Sequence, residues 1–292
     1  MNRFFKIVAP LALTFSALSL SAQQLTPQWE NLTAEDFVKG LAASHNVCLL
    51  PFGILEKHGP SGPLGTDLIN VRAATLEAVQ KEYAIVFPEY YFGQIAEARQ
   101  QPGTMAYKAD LQLALLQATT DEMARNGCKK IIIVNGHGGN NALLNYFFQI
   151  QLDTTHDYVV YVSQQGAGPE PAAAAPSRPG ADGHAGEGEI SGIMANRPEA
   201  AHPDRAHEES GADLHRLQMP SGLSTAMFWY ASFPNHYQGD ASAATAARGE
   251  AMRHVRAQSI IDAIKFVKAD TVTPALQDEF FKKTIAPVTT PQ

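Results

Sequence analysis

Acidic and imidazole side chains follow two apolar runs of this sequence. Glu56 and His58 come after the run at 46–52, and His137 comes after the run at 130–134, inside a glycine-rich turn. Residues two apart in extended backbone send their side chains to the same side, so Glu56 and His58 can face one site. Carboxylate and imidazole ligands together suit zinc, manganese or iron better than calcium or magnesium. The pattern therefore predicts a site for one of these metals.

Further candidate residues stand at other strand ends. Asp67 lies at a predicted helix start, where a carboxylate is favoured and can also bridge two cations. His184, Glu187 and Glu189 follow the last apolar run and its loop. In open α/β sheets, residues at the carboxyl ends of the strands converge on one crevice. We therefore expect these side chains to approach Glu56 and His137.

Each motif also has a simpler interpretation. A Glu-Xaa-His sequence alone is common on protein surfaces. The turn at 135–140 could bind a phosphate at a helix start, although no Gly-Lys-Ser/Thr sequence follows it. His184 could be a solvent-exposed loop residue, and with Glu187 and Glu189 it could form a charged helix start. The placement of all these motifs after successive strands favours the metal site.

The elements that must position these residues alternate between helix and strand. Thr33 with Asp36 is typical of a capped helix start. Continuous apolar runs separated by helices of about ten residues or more are typical of a parallel sheet covered on both faces. The sequence thus predicts a layered α/β fold. We predict strands at 46–52, 84–87, 130–134 and 158–163, and helices at 67–82, 110–126, 141–153 and 241–268.

The N-terminal segment differs from the rest of the chain. Arg3 and Lys6 precede an apolar stretch at 7–20, and small residues follow it. A basic start, an apolar stretch too short to span a bilayer comfortably and a small-residue exit predict a secretory signal peptide at 1–22. The alternative is a retained membrane anchor, but no charged stop-transfer flank follows. We expect one domain at 23–292, a secreted or periplasmic location and no stable membrane insertion after cleavage.

Charge and cysteine content narrow the function further. The formal net charge is −7, and removal of the basic N-terminal residues makes it more negative. An acidic protein without a basic stripe is a poor candidate for binding nucleic acid. Cys48 and Cys128 are the only cysteines. In an exported protein they could pair, or they could remain buried thiols in neighbouring strands.

Taken together, the motifs resemble the creatininase, or creatinine amidohydrolase, family. They occur in the family's order and span roughly residues 46 to 252. The combination is specific even though its members are not. The motifs are LPFGILEKHGP at 50–60, GTD at 65–67, PGT at 102–104, NGHGGN at 135–140, HAG at 184–186 with Glu189 and Ser191, and a weaker match at 239–250.

The resemblance implies an α/β/α sandwich, a homo-oligomer such as a hexamer and two divalent ions per subunit. It implies that Asp67 bridges the ions and that Glu189 supplies a further carboxylate, with Glu187 as the alternative. His184 would exchange a proton with the departing nitrogen, and we place His184 and Glu187 at the catalytic centre. The implied substrate is a small-molecule amide attacked by metal-activated water. The implied metal ligands are Glu56, His58, Asp67, His137 and Glu189.

This chain departs from true creatininases at several positions. An aromatic residue and a glutamate follow the third-strand histidine in that family pattern, whereas Gly138 and Gly139 stand here. Lys57 occupies a position where glutamine is usual, and Ser61 one where histidine is frequent. The glycines remove one ligand and one substrate-packing ring. We therefore expect Glu189 to replace the missing ligand and creatinine to be a poor substrate.

Two other functions remain open from the sequence. A metallophosphoesterase could use similar ligands, but it usually needs several Asp-rich strand ends and a basic phosphate-binding group. A non-catalytic periplasmic metal or ligand binder could retain the fold, and a closed metal site would favour it. The histidine-rich segment at 199–215 could be a polar surface excursion or a lid. The aromatic residues at 228–230 could line a pocket or simply pack in the core.

Overall fold

Four parallel strands form the central sheet. The computed structural model describes residues 25–164 and 172–291, so the predicted signal peptide at 1–22 lies outside the described residues. The strands are Val47–Phe52 (β1), Ile85–Val86 (β2), Lys130–Asn135 (β3) and Val159–Ser163 (β4). Their order is β2-β1-β3-β4, and every neighbouring pair is parallel. The predicted parallel sheet is therefore confirmed, with β1 and β3 at its centre.

Helices follow the strands along the chain. Within residues 25–164 and 172–291, no helix has the length and apolar character that a membrane-spanning helix needs. The helices are Ala34–Ala43 (α1), Thr66–Val79 (α2), Ala109–Arg125 (α3), Asn140–Ile150 (α4), Glu187–Asn196 (α5), Phe228–Ser232 (α6), Ala246–Ala269 (α7) and Val272–Thr284 (α8).

Alternate residues of β1 pack into two separate apolar clusters. Val47 and Leu49 belong to a cluster that α2 and α7 complete. Cys48, Leu50 and Phe52 belong to a second cluster, which α3 and α4 complete. Successive side chains of a strand point to opposite faces of the sheet, so these helix pairs cover opposite faces. The molecule is therefore a three-layer α/β/α sandwich, as expected.

The predicted elements and the observed ones differ in a few places. The predicted cap of α1 is confirmed, because the Thr33 hydroxyl accepts a hydrogen bond from the Asp36 amide at 3.2 Å. The sequence did not predict α8, whose apolar residues Val272 and Leu276 are exposed and so give no core-facing pattern. For the segment that forms α5, the sequence offered a charged helix start at Glu187 and Glu189 only as an alternative interpretation. This helix is short, and its buried Ile190 and Ile193 stand among glycines and polar residues, so its apolar pattern in the sequence is weak.

A disulfide links β1 to the segment that leads into β3. Cys48 on β1 and Cys128, just before β3, are bonded, and their Cα atoms lie 5.6 Å apart. Both residues are fully buried. Of the two alternatives that the sequence left open, the structure shows the disulfide between Cys48 and Cys128 and not two free thiols. Because the bond closes a loop with a sequence separation of 80 residues, it restricts the unfolded chain and stabilises the fold by about 2–4 kcal/mol.

Reduction of this disulfide is expected to lower the free energy of unfolding by about 2–4 kcal/mol, since the unfolded chain regains its loop entropy. Urea unfolding of the protein with and without dithiothreitol measures the difference. A Cys48→Ala, Cys128→Ala double variant is the control and should not respond to the reductant. Equal stability of the oxidised and reduced wild-type proteins would contradict the prediction.

Candidate metal centre

The predicted ligands come from four elements that meet at the carboxyl edge of the sheet. Glu56 and His58 follow β1, and His137 follows β3, the strand paired with β1. Asp67 lies in the first turn of α2, and Glu189 lies in the first turn of α5. The parallel pairing of β1 and β3 brings their carboxyl ends side by side. The structure therefore brings all five predicted ligands together.

Asp67 lies between two histidines at the centre of this group. Its Oδ2 atom is 2.9 Å from Nδ1 of His137, and its Oδ1 atom is 3.4 Å from Nε2 of His58. Glu56 Oε1 is also 2.9 Å from His137 Nδ1, and Glu189 Oε2 is also 3.4 Å from His58 Nε2. One oxygen of Asp67 thus faces the Glu56–His137 pair, and the other faces the His58–Glu189 pair.

Backbone carbonyls fix the orientation of both histidine rings. The other ring nitrogen of His58, Nδ1, lies 3.2 Å from the Glu56 carbonyl oxygen. The other ring nitrogen of His137, Nε2, lies 3.0 Å from the Gln94 carbonyl oxygen. A carbonyl oxygen can only accept, so each of these nitrogens carries a proton and donates it. In the neutral ring, the nitrogen that faces Asp67 then keeps a free lone pair, as metal ligation requires.

An amide network holds the carbonyl that orients His137. The Asn140 side-chain oxygen accepts a hydrogen bond from the Gln94 amide at 2.9 Å. Asn135 accepts hydrogen bonds from the His137 amide at 3.2 Å and from the Asn140 side chain at 3.3 Å. Both asparagines are fully buried. The asparagines of the 135–140 turn therefore support the histidine within it.

Several buried polar atoms at the centre have no hydrogen-bond partner. They include Glu56 Oε1, His58 Nε2 and Asp67 Oδ2, which all point into the group. A buried polar atom without a partner is costly. Two carboxylate oxygens and an imidazole nitrogen can each donate an electron pair to a divalent transition metal ion. The residues present therefore fit the metal that the sequence predicts.

The charges of the cluster favour cations. Burial opposes ionisation of Glu56, but the neighbouring His137 outweighs it and holds the pKa of this carboxyl well below its usual range. Burial also opposes protonation of His58, but Asp67 outweighs it and raises the pKa of His58 to about 9. Burial raises the pKa of Glu189 to about 7, and Asp67 adds to that rise. The carboxyl groups of this buried site therefore stabilise a positive charge placed among them.

His184 stacks beside the predicted ligands. Its ring centroid is 4.5 Å from that of His58, and its Nε2 donates to the Lys57 carbonyl oxygen at 2.7 Å. Its Nδ1 lies 3.9 Å from Glu189 Oε2. Burial lowers the pKa of His184 to about 3. The ring is therefore held as a neutral imidazole with Nδ1 directed toward the Glu189 side of the site.

Glu187 points away from the centre, although it is two residues from Glu189. Its carboxylate accepts hydrogen bonds from the Ser177 hydroxyl at 2.6 Å and from the Ser177 amide at 3.0 Å. Arg248 Nη1 lies 3.5 Å from it. Residues two apart on an α-helix face nearly opposite directions. The geometry therefore brings Glu189 into the ligand group and leaves Glu187 in a contact between loop and helix.

The sequence alone did not predict that His236 belongs to this site. This residue is 2% exposed, and its Nε2 lies 2.5 Å from Glu56 Oε2. Trp229 is one of the aromatic residues at 228–230 that could line a pocket or pack in the core. Its Nε1 donates a hydrogen bond to His236 Nδ1 at 2.7 Å. A single histidine six residues after the aromatic run at 228–230 has no spacing that indicates a metal site. Only the fold shows that it reaches Glu56.

The histidine-rich segment at 199–215 contributes no ligand among the described residues. The His202 amide donates to the Ser61 carbonyl at 2.9 Å, and Glu209 forms an ion pair of 2.7 Å with Lys57. His215 is largely exposed. The segment is therefore anchored beside the Glu56–His58 strand end, and its histidines remain outside the ligand group.

A glycine allows the end of β1 to approach the helix that carries Asp67. A Cβ atom added at Gly53 would lie 2.6 Å from the Leu68 amide nitrogen and 2.9 Å from the Asp67 carbonyl carbon. Both neighbours are backbone atoms and cannot rotate away. By contrast, a Cβ at Gly65, at the start of the same helix, would meet no atom closer than 3.8 Å. Gly53 therefore sets the distance between Asp67 and Glu56.

Substitution of Gly53 by Ala is expected to push α2 away from β1, to destabilise the fold by about 1–3 kcal/mol and to lower bound metal. Gly65→Ala is the matched control and should keep its metal. Metal content by mass spectrometry and thermal unfolding check both variants. Normal metal content in Gly53→Ala would contradict this account of the spacing.

Substitutions of the two glutamates of α5 are expected to have different effects. Glu189→Gln should lower bound metal, because one negatively charged ligand is lost. Glu187→Gln should keep its metal and lose thermal stability, because its contacts with Ser177 and Arg248 weaken. Metal content and the unfolding temperature of the two purified variants separate these effects. Metal loss in Glu187→Gln alone would reverse the assignment.

Comparisons with known proteins show which family this chain is similar to. The family model described as creatinine amidohydrolase matches residues 30–264. A "Mycofactocin precursor peptide peptidase" of Mycolicibacterium smegmatis is 30% identical over 228 residues, which cover 74% of this chain and 83% of the relative.

Solved structures show the same fold. A mutant creatininase of Zn-Zn type has a TM-score of 0.70 at 22% identity, covering 84% of this chain and 99% of that one. A structure titled "Creatininase Mn" has a TM-score of 0.67 at 22% identity, covering 84% of this chain and 100% of that one. The family model over residues 30–264 confirms the resemblance seen in the motifs, and the chain belongs to the creatininase family of metal-dependent hydrolases.

Proposed function

We propose that this protein is an exported amidohydrolase that cleaves a C–N bond of a small molecule with two divalent metal ions. The observation that carries the proposal is the position of Asp67, whose two oxygens face two separate donor pairs. Glu56, Asp67 and His137 would hold one ion, and His58, Asp67 and Glu189 would hold the other. When bound, such ions lower the pKa of a coordinated water and polarise the carbonyl that it attacks.

The donor set supports zinc, manganese or iron as the metal. Imidazole nitrogen combined with carboxylate oxygen suits these ions. The Zn-Zn and Mn forms of the similar creatininase structures are consistent with this choice. The chain's own residues provide the anionic site, fix the histidine rings and keep most of the site out of water. Because the two oxygens of Asp67 face two separate donor pairs, we propose that two ions bind.

The open side of the centre suggests where the substrate approaches. The side chains of Glu56, His58 and Asp67 are at most 4% exposed, whereas that of Glu189 is 29% exposed. His184 lies on the same side, and the Trp229 ring lies 5.9 Å from its ring, centroid to centroid. A substrate carbonyl entering here would meet Glu189 and His184 first. This arrangement supports a site with an accessible position, as catalysis requires.

His184 is placed to carry a proton during bond cleavage. Its Nε2–H is committed to the Lys57 carbonyl, so Nδ1 is the atom that can accept or release a proton. An amide nitrogen leaves only when it is protonated. We propose that Nδ1 of His184 takes a proton released as the water attacks and passes it to the departing nitrogen. Glu187 has no such position, because its carboxylate is bound to Ser177.

The substrate is proposed as a class of compound. Gly138 and Gly139 stand where creatininase itself carries a ring and a ligand, which argues against creatinine. The Mycolicibacterium relative is named a precursor peptide peptidase, so peptide-derived amides belong in the class with small linear and cyclic amides. A homo-oligomer, expected from the family resemblance, remains a prediction for this chain.

The metal-loaded mature chain is expected to release amine or ammonia from a member of a panel of amides, lactams and short peptides. Asp67→Asn should be inactive and metal-poor. His184→Gln should keep its metal and lose about 100-fold or more in rate, because the proton carrier is absent. Turnover of p-nitrophenyl phosphate alone would favour a phosphoesterase, and bound metal without any turnover would favour a binding protein.

Export is proposed from the signal-like sequence at 1–22, and the buried Cys48–Cys128 disulfide supports an oxidising compartment. The full-length chain expressed in a bacterium is expected in the periplasmic fraction, with an N-terminus near residue 23. Cell fractionation and intact-mass measurement check both points. An uncleaved chain in the cytoplasm would contradict export.

A further inference from the structure

His236 is a buried histidine with an unusual backbone conformation. Its φ angle is +57°, in the left-handed region that non-glycine residues seldom occupy. It is 2% exposed, and its ring lies against that of His184, with centroids 4.2 Å apart and planes tilted by 57°. Strained backbone in a buried polar residue persists when surrounding contacts hold it, and such residues concentrate at functional sites. The contacts that hold His236 are the hydrogen bonds of its two ring nitrogens, to Trp229 and to Glu56.

Trp229 determines which nitrogen of His236 carries the proton. The indole Nε1–H lies 2.7 Å from His236 Nδ1, and an indole nitrogen can only donate. Nδ1 must therefore be the accepting, unprotonated nitrogen. The proton of the neutral ring then resides on Nε2, which lies 2.5 Å from Glu56 Oε2. His236 thus donates to Glu56. The two hydrogen bonds therefore run in one direction, from Trp229 to His236 and from His236 to Glu56.

This chain of hydrogen bonds leaves the two oxygens of Glu56 unequal. Oε2 accepts from His236, whereas Oε1 is buried without a hydrogen-bond partner and lies 2.9 Å from His137 Nδ1. His184 Nε2 is 3.7 Å from Oε2, but its proton goes to the Lys57 carbonyl at 2.7 Å. His236 therefore holds one oxygen and turns the other toward Asp67 and His137.

We propose that His236 is a positioning residue that presents Glu56 to the metal through Oε1, and that Trp229 sets the tautomer on which this depends. The inference rests on the proposed metal centre. It also connects the short helix α6, which carries Trp229, to a ligand of the metal. Partners in contact with ligating carboxylates and histidines commonly change metal affinity by about 10–100-fold when removed.

A matched pair of variants separates hydrogen bonding from packing. His236→Gln retains an N–H donor near the position of Nε2, whereas His236→Phe keeps an aromatic ring without a donor. Both variants bear the same left-handed backbone strain, so its cost cancels in the comparison. Zinc affinity is measured by competition with a chromophoric chelator on the full mature chain, together with circular dichroism and thermal unfolding.

His236→Phe is expected to bind zinc about 10–100-fold more weakly than the wild type, and His236→Gln to remain within a few-fold of it. Wild-type affinity in a folded His236→Phe variant would overturn the proposal, as would equal losses in the two variants. If the wild-type protein itself binds no zinc, the proposed metal centre fails, which is a different result from the failure of this inference.

The tautomer provides a second test that does not depend on affinity. Long-range ¹H–¹⁵N NMR spectra of the metal-free wild type should show His236 protonated at Nε2. Trp229→Phe keeps a ring in place and removes the donor, so a population protonated at Nδ1 should emerge, with zinc affinity between those of the wild type and His236→Phe. A wild-type His236 protonated at Nδ1 would overturn the assignment.

Discussion

The buried carboxylate of Asp67 constrains the rest of the centre. A charge removed from water is stable only when it is paired and hydrogen-bonded, and Asp67 lies 2.9 Å from His137 and 3.4 Å from His58. These histidines follow two different strands, while Asp67 begins a helix. The ends of β1 and β3 and the start of α2 must therefore keep fixed mutual positions. The parallel sheet and the close approach at Gly53 serve this requirement, and the disulfide ties β1 to the start of β3 at the opposite edge of the sheet.

The histidines are held by contacts outside the ligand group. His58 and His137 donate to backbone carbonyls, and His236 donates to Glu56. Each contact fixes which atom remains available toward the centre. The site is thus preorganised by hydrogen bonds from loops that follow the strands, while Glu189 and His184 remain at the accessible side. This division between a buried, rigid half and an open half suits hydrolysis, in which the substrate must reach the metal and then leave.

Sequence alone predicted the convergence of the ligands because it depends on simple periodicity. Glu56 and His58 are two apart after a strand, and His137 follows a neighbouring strand in a parallel sheet. The choice between Glu187 and Glu189 required the helix α5, since its first turn directs one carboxylate into the site and the other toward Ser177. Glycines and polar residues in α5 hide this helix from an apolar-pattern reading. His236 was missed because its role comes from tertiary contacts with Trp229 and Glu56, not from spacing.

The most direct test of the central claim is anomalous diffraction from crystals of the zinc-loaded protein. The account predicts two anomalous peaks, one between Glu56, Asp67 and His137 and the other between His58, Asp67 and Glu189, with Asp67 in contact with both. A protein that binds zinc elsewhere, or that holds its zinc without contact to Asp67, would contradict the account.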